Sequence, residues 1–408
     1  MKRLILAGMT IFLLLIYLLY ISQFEIYVAE EKLELETKGI FYDYKGAFHV
    51  HTSKGQGRYS TRDVLIEANR AGLDFVVFSD LNIFDDQTSF EGYYRNTLGI
   101  QARQFSYLDS RVVLVESDNK TRFENLNEAQ LYLTDKLTDS KIDESIFVSL
   151  SHPNKPGYKF DKKLWDGLHS IEVVNFKSIW QNSWTESKAS FLYSILSYPF
   201  NKNLALLRIF EDPIKNIELW DQNTAPNRRV TGVLANHATA KTKNLIGVNF
   251  EFPSYHHSFS IGSNHLLLKS ELTGDKTKDR AKVFNALLNG QFYFSLDMLE
   301  DPSGFEAYIT NRNEVYPLGS KVPFAKNLEL KVNLPHKIKI PFEIIVFRNG
   351  ERVGTYNQNN VSFPIKSTGA YRVSVRVIPT LPLPDGKRWF TWIYANPLYV
   401  YSEDSNRL

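Results

Sequence analysis

The chain of 408 residues contains no cysteine at all. That excludes disulfides, thiolate metal sites, a cysteine nucleophile and a lipid-bearing cysteine. Excess charge of one sign is also missing. Lys and Arg number 48 against 45 Asp and Glu, a net charge of +3. Nucleic-acid binding therefore has no electrostatic case. There is no G-x-S-x-G elbow and no G-x-x-x-x-G-K-[ST] loop, which removes the usual serine-hydrolase and nucleotide-phosphate signatures. What is present is globular: 43% apolar and 23% charged residues, in a chain long enough for two or three domains.

One stretch lacks charge altogether, Leu4 to Ile21, directly behind Lys2 and Arg3. It is about long enough to cross a bilayer core. The following "SQFEIYVAEEK" offers no small-x-small cleavage site. The basic residues hold the short end in the cytoplasm. The expectation is an uncleaved signal anchor rather than a cleaved signal, with the body outside the cytoplasm, periplasmic or extracellular.

Beyond it, "STRDVLIEANRAG" has a Ser/Thr cap, helical apolar spacing and a stop at Gly72. Five buried-strand runs are readable: "LDFVVFSD", "RVVLVESD", "SIFVSLSHP", "SIEVVNF" and "RRVTGVLANHAT". Helical stretches lie between several of them, so a parallel sheet or barrel is expected. In such folds the active site gathers at the carboxyl ends of strands. Asp80, Glu116, His152, Glu172 with Asn175, and His237 all lie at or near such ends. An earlier strand, "GAFHVHTSKGQGRYS", carries His49 and His51, two apart and so expected on one face.

Imidazole nitrogens with carboxylate oxygens suit zinc, manganese or iron, and Glu116 is of a type that can bridge two ions. Such an ion acidifies bound water, which points to hydrolysis of a phosphate or carboxylic ester.

The ordered series His49-Val50-His51-Thr52, "ANRAGLDFVVFSD", Glu116, "LSHP" with His152, "IEVVN" and "GVLANHA" with His237 resembles the PHP superfamily. These are the polymerase and histidinol phosphatase metal-dependent phosphoesterases. The resemblance covers residues 46 to about 240. It implies an α/β fold: a distorted (β/α)7 barrel with up to three metals. By analogy His49, His51, Glu116, His152 and His237 are the metal ligands. Asp80, read from its own place at a strand end, is a general base, a partner behind the ligands or a cap of the next turn. Where the family has T-D-H, this chain has Ser79-Asp80-Leu81; where the family has S-D-A-H, it has Leu234-Ala235-Asn236-His237. Two ligand positions are thus leucine and alanine, unless Asn236 takes the second as a neutral, weaker ligand. One or two divalent ions are expected instead of three. Two functions follow: a reduced metal-dependent hydrolase of a small-molecule ester or phosphoester, or an inactive binding module held at the membrane.

"FLYSILSYPFNKNLALLRIF" is apolar, but Pro199, Asn201, Lys202 and Asn203 interrupt it, so a helical hairpin packed on the barrel is expected, with the membrane surface within its reach. His169 reads as a surface histidine. His256 and His257 are read on a strand, pointing apart, and His265 and His336 as structural or exposed. Trp165, Trp180, Trp184 and Trp220 read as core or cleft wall. "DRAKVFNALLNGQFYFSLD" reads as a helix ending at Gly290, then a strand. The last hundred residues alternate apolar and polar around turns such as Asn349-Gly350, an antiparallel β-sandwich whose own partner is unknown. The expected organisation is an anchor over 1–23, a juxtamembrane segment over 24–45, the barrel over 46–303 and the sandwich over 304–408.

Overall fold

The computed structural model describes residues 1–33, 40–84, 91–118, 120–139, 142–245, 248–312 and 314–402. Positions 34–39 of the expected juxtamembrane segment and 403–408 of the expected sandwich lie outside the described residues. The fold is mixed α/β with one large sheet.

The uncharged N-terminal run forms the helix Lys2–Ser22, long and apolar enough to cross a membrane, with its first sixteen residues nearly all exposed. Its last turn does not stand free. Ile21 is buried, and Tyr17, Leu18 and Phe24 pack against the main core.

The large sheet is built around Tyr42–Val50. Phe75–Phe78 pairs parallel with it and with Thr97–Gln101. Arg103–Tyr107, Ser110–Glu116 and Ile146–Ser151 then pair antiparallel in turn. Ser170–Asn175 and Thr231–Ala235 return to parallel pairing. Ala235 meets Phe48 in parallel register, so the pairing closes on itself. The strands are buried along nearly their whole length, as continuous Val/Ile/Leu/Phe runs require when both faces are covered.

Among the five strand runs read from the sequence, the parallel expectation fails at one place. No helix separates Arg103–Tyr107 from Ser110–Glu116; a tight turn through Leu108, at φ 48°, joins them. Consecutive strands joined so tightly must run antiparallel. Ser110–Glu116 is therefore inverted relative to Tyr42–Val50.

Helices cover the outside. Thr61–Arg70 is capped by Ser60, whose side chain accepts from Asp63 N at 3.2 Å, and the chain leaves it through Gly72 at φ 73°. The apolar stretch 191–210 is indeed a helical hairpin, Lys188–Ser197 and Lys202–Ile209. Asn201 caps the second helix, and Ser194 Oγ donates to Ala205 O at 2.5 Å. Lys276–Asn289 ends at Gly290, at φ 69°, and leads into the strand Phe292–Ser295, as expected.

The C-terminal part holds two antiparallel arrays. One runs in the order Glu314–Pro317, Glu306–Asn311, Leu328–Asn333, Asn360–Pro364. The other pairs Phe342–Arg348 with Glu351–Tyr356 and with Gly369–Val377. Asn349 and Gly350 make their turn with φ of 50° and 82°, the left-handed pair that matches strand twist. Phe292–Ser295 pairs with Phe390–Ala395, so backbone hydrogen bonding runs across the expected boundary at 303/304.

Candidate metal centre

Four histidines converge at one end of the closed sheet. Ring centroids lie 5.0 Å apart for His49 and His51, 4.4 Å for His49 and His237, 4.5 Å for His51 and His237, and 5.0 Å for His152 and His237. All four side chains are buried. Among the described residues, His49, His51 and His237 each offer a ligand atom within 4.8 Å of the others.

The backbone brings them together by local distortion. His49, His152 and His237 have φ of 61°, 52° and 47°, a region that residues with a Cβ seldom occupy. At His49 the pairing register slips between Ala47 and Val50. His49 and His51 therefore do not share a face by simple alternation; the slip turns both rings to one point. Such strain persists only where the surroundings enforce it, and it gathers at functional sites.

The ring partners sort the nitrogens. His49 Nδ1 bonds Glu172 Oε1, and His152 Nδ1 bonds Ser178 Oγ at 2.8 Å. The Nε2 atoms of both rings are buried with no hydrogen-bond partner, as are Nδ1 of His51 and Nδ1 of His237. Buried polar nitrogens are rarely left bare. Burial also pushes the imidazoles toward the neutral, metal-binding form: His51 is lowered to about 4, His152 to about 3, and His237 well below its ordinary value.

Glu172, which the sequence placed near a strand end without a role, is the carboxylate of this site. It is fully buried; Ser151 Oγ donates to it at 2.9 Å, His152 N at 3.2 Å and Asn175 Nδ2 at 2.6 Å. Burial raises its pKa, but the neighbouring His49 and those donors outweigh it and hold the carboxyl at about 2.

Glu116 is not brought to the cluster. It pairs with Ile146, whereas Arg111 pairs with Ser151 beside His152. Five residues of strand, roughly 16 Å, separate it from that end. Its carboxylate lies 3.5 Å from Arg103 Nη1, and its carbonyl accepts from Arg280 Nη2 at 2.6 Å.

Asp80 lies beside the cluster with both oxygens engaged, by Thr52 N at 2.7 Å and Thr52 Oγ1 at 2.5 Å, and with Oδ1 3.7 Å from His51 Nδ1. Asn236 faces away, its amide bonded to Phe48 N, Ser258 O and Gly262 O. Leu81 and Ala235 supply no polar atom.

Lys177, missed in the sequence, places Nζ 3.4 Å from both His237 Nε2 and Gln56 Oε1. Burial, then the charges of Lys241, Arg111 and Lys155, lower it to about 8. Its only sequence signal is its place two residues after the strand end at Asn175. Among the described residues, two cavities reach the cluster. One of about 580 Å³ opens beside His152, and one of about 240 Å³ beside His237 and Lys177.

The remaining histidines differ from their sequence reading in part. His169 is buried, not superficial, with Nδ1 accepting from Val148 N at 3.3 Å. His256 and His257 lie on the helix Tyr255–Ile261, not a strand. His265 is buried between Asp43 and Asp297.

No family model matches the sequence, and no curated protein does. Several solved structures show a distant likeness, among them two described as phosphoesterases. One is from Bacteroides vulgatus ATCC 8482, a two-domain protein containing a predicted PHP-like metal-dependent phosphoesterase. It is 11% identical, with 89% of this chain and 99% of that chain covered, at a TM-score of 0.36. The other, from Bifidobacterium adolescentis ATCC 15703, is a candidate metal-dependent phosphoesterase. It is 12% identical, with 52% of this chain and 94% of that chain covered, at a TM-score of 0.27. At these TM-scores neither likeness carries an argument for this chain.

Proposed function

We propose that the chain is a metal-dependent hydrolase of the PHP type, acting on a phosphoester or carboxylic ester, with its body outside the cytoplasm and the helix Lys2–Ser22 as its anchor. The observation that carries this reading is the set of four buried imidazoles packed ring to ring, each with one nitrogen that has no hydrogen-bond partner, three of them with ligand atoms within 4.8 Å of one another. The motif order in the sequence, the closed strand pairing and the two C-terminal antiparallel arrays support the same assignment, a distorted (β/α)7 barrel followed by a β-sandwich.

The donor set of His49, His51 and His237, with His152 beside it, fits one or two divalent ions, zinc, manganese or iron. When bound, the ion's contribution is to acidify water near neutral pH. The protein's own groups do the rest. Glu172 orients His49 and fixes its tautomer, and Ser178 orients the His152 ring. Asp80, its oxygens taken by Thr52, positions the turn below His51 rather than moving a proton. The Lys177 ammonium is placed to steady a negatively charged ester oxygen. Hydrolysis balances simply: the water oxygen bonds to phosphorus or the carbonyl carbon, the bond to the ester oxygen breaks, and that oxygen leaves with a proton.

A second reading, an inactive binding module, is favoured by Leu81, Ala235 and the Lys177 amine beside His237. One experiment separates the two. Purified protein dialysed against zinc, manganese or iron is analysed for bound metal and assayed on nitrophenyl phosphomonoester, phosphodiester and acetate. Bound metal with turnover that His237→Ala abolishes supports the hydrolase. Absence of metal would overturn it.

A further inference from the structure

The N-terminal helix does not leave the domain on a loose tether. Asn201, between the two hairpin helices, donates to Ile21 O at 2.9 Å and to Phe24 O at 2.8 Å. Tyr17 bonds Tyr193 on the first hairpin helix, and its hydroxyl donates to Leu383 O at 2.6 Å. The apolar run is thus docked on the domain from Tyr17 onward. Only Leu4 to Ile16, 13 residues, project free of it. At about 1.5 Å per residue they span about 20 Å, short of the roughly 30 Å of a bilayer core. If the helix crosses a bilayer, the missing length comes from the domain surface around its docked end.

That surface is apolar. The same hairpin exposes Leu192 at 53%, Leu196 at 63% and Phe200 at 44%. Leu383, whose carbonyl holds Tyr17, is 77% exposed. The second hairpin helix turns Leu206 and Ile209 the other way, into the cavity of about 240 Å³. Phe176, Trp180 and Phe252 add to its mainly apolar wall, which Gln181 and Lys241 also line, and Lys177 and His237 border it. An apolar cavity of about 150 Å³ already accepts a benzene ring, so this one holds part of a hydrocarbon chain. One hairpin therefore carries exposed apolar side chains on one side and, on the other, part of the wall of a cavity that borders the candidate metal centre.

We propose that the substrate is an amphiphile taken from the membrane, with the hairpin set into the bilayer surface, the hydrocarbon part in the cavity and the ester at the histidines. This rests on the anchor and hydrolase readings, and two measurements on the full chain in phospholipid nanodiscs test it without turnover.

Because the chain has no cysteine, spin labels go on cleanly at Leu192→Cys, Leu196→Cys and Phe200→Cys, with Leu131→Cys on the helix Leu126–Thr138 as the reference. Power saturation in electron paramagnetic resonance is expected to show the three hairpin labels more accessible to oxygen than to a nickel chelate, and the reference label the reverse. Four nickel-accessible labels would overturn the membrane placement. In the second measurement, 10-bromodecyl phosphate is expected to quench Trp180 fluorescence at a concentration at least tenfold lower than 2-bromoethyl phosphate does, with the effect lost in Trp180→Phe. Equal quenching by the two would overturn the cavity assignment. If both measurements turn out as expected while no ester is hydrolysed, the hydrolase reading alone falls. If water-soluble esters are hydrolysed while both measurements fail, the amphiphile alone falls.

Discussion

The Glu172 carboxylate holds Nδ1 of the His49 ring and leaves Nε2 of the same ring buried and bare. A carboxylate behind an imidazole fixes its tautomer and raises its basicity toward a metal. Glu172 also ties His152 N, Ser151 Oγ and Asn175 Nδ2 into one anionic node beneath the cluster.

Metal titration therefore has a definite expected pattern. The protein binds one or two ions, and three tightly held ions per chain by elemental analysis would contradict the ligand count. His49→Ala lowers occupancy directly. Glu172→Gln weakens binding by about 10- to 100-fold through the ring it orients. Glu116→Ala leaves occupancy unchanged, because Glu116 lies at the opposite end of its strand. It costs stability instead, on the order of 1 to 3 kcal/mol, by removing a buried carboxylate that lies 3.5 Å from Arg103 Nη1. Loss of metal in Glu116→Ala would show that the strand is not inverted in solution.

Stability should depend on pH at both ends of the scale, through histidines outside the cluster. Burial lowers His169 to about 4. Its folded pKa lies below the unfolded value of about 6.5. The unfolded chain therefore binds more protons in between, and stability present above about pH 6.5 is lost as pH falls toward 4. The loss is about 3 kcal/mol. His265 is the opposite case. Burial lowers it, but Asp43 and Asp297 outweigh burial and raise it to about 10. Its contribution is complete below about pH 6.5 and is lost as pH rises through 10. Urea midpoints across pH 4 to 10.5 measure both. His169→Gln should make the acid limb shallower, with the cluster histidines keeping the rest, and leave the alkaline limb; an unchanged acid limb counts against the assignment.

Restoring the missing ligands tests whether the site is a reduced metal centre. Leu81→His with Ala235→Asp should raise metal occupancy above that of the parent chain, with the ratio of ions to protein as the readout. Ala235 pairs with Phe48, next to His49, so a carboxylate there enters the neighbourhood of the cluster. If apolar neighbours have closed the space, each new polar group is buried unsatisfied at about 1 to 3 kcal/mol, more for the charged one. A lower melting temperature without added metal would favour the binding module.

The N-terminal helix should keep the full-length chain in the membrane fraction through a carbonate wash, while a chain starting at residue 24 is released. Soluble full-length protein with Met1 intact would remove the anchor, and with it the argument from the short free span.

The sequence by itself determined the strand ends. Buried apolar runs stopped by His, Asp or Glu are local signals, and His49, His51, His152 and His237 were all legible from them. It also determined the capped helix after Ser60, the left-handed turn at Asn349-Gly350 and the interrupted apolar hairpin, since caps, glycines and periodicity act within a few residues. Tertiary structure alone decided which ends meet. A run such as "RVVLVES" reads the same in either direction, and the turn at Leu108 sent Glu116 away from the cluster. Glu172 and Lys177 took their places by packing across strands far apart in sequence, and Asn236 was claimed by Phe48 and Gly262 rather than by the site. A carboxylate has no local sign of which face it will present; its partner is chosen by the neighbours that burial leaves within hydrogen-bond reach.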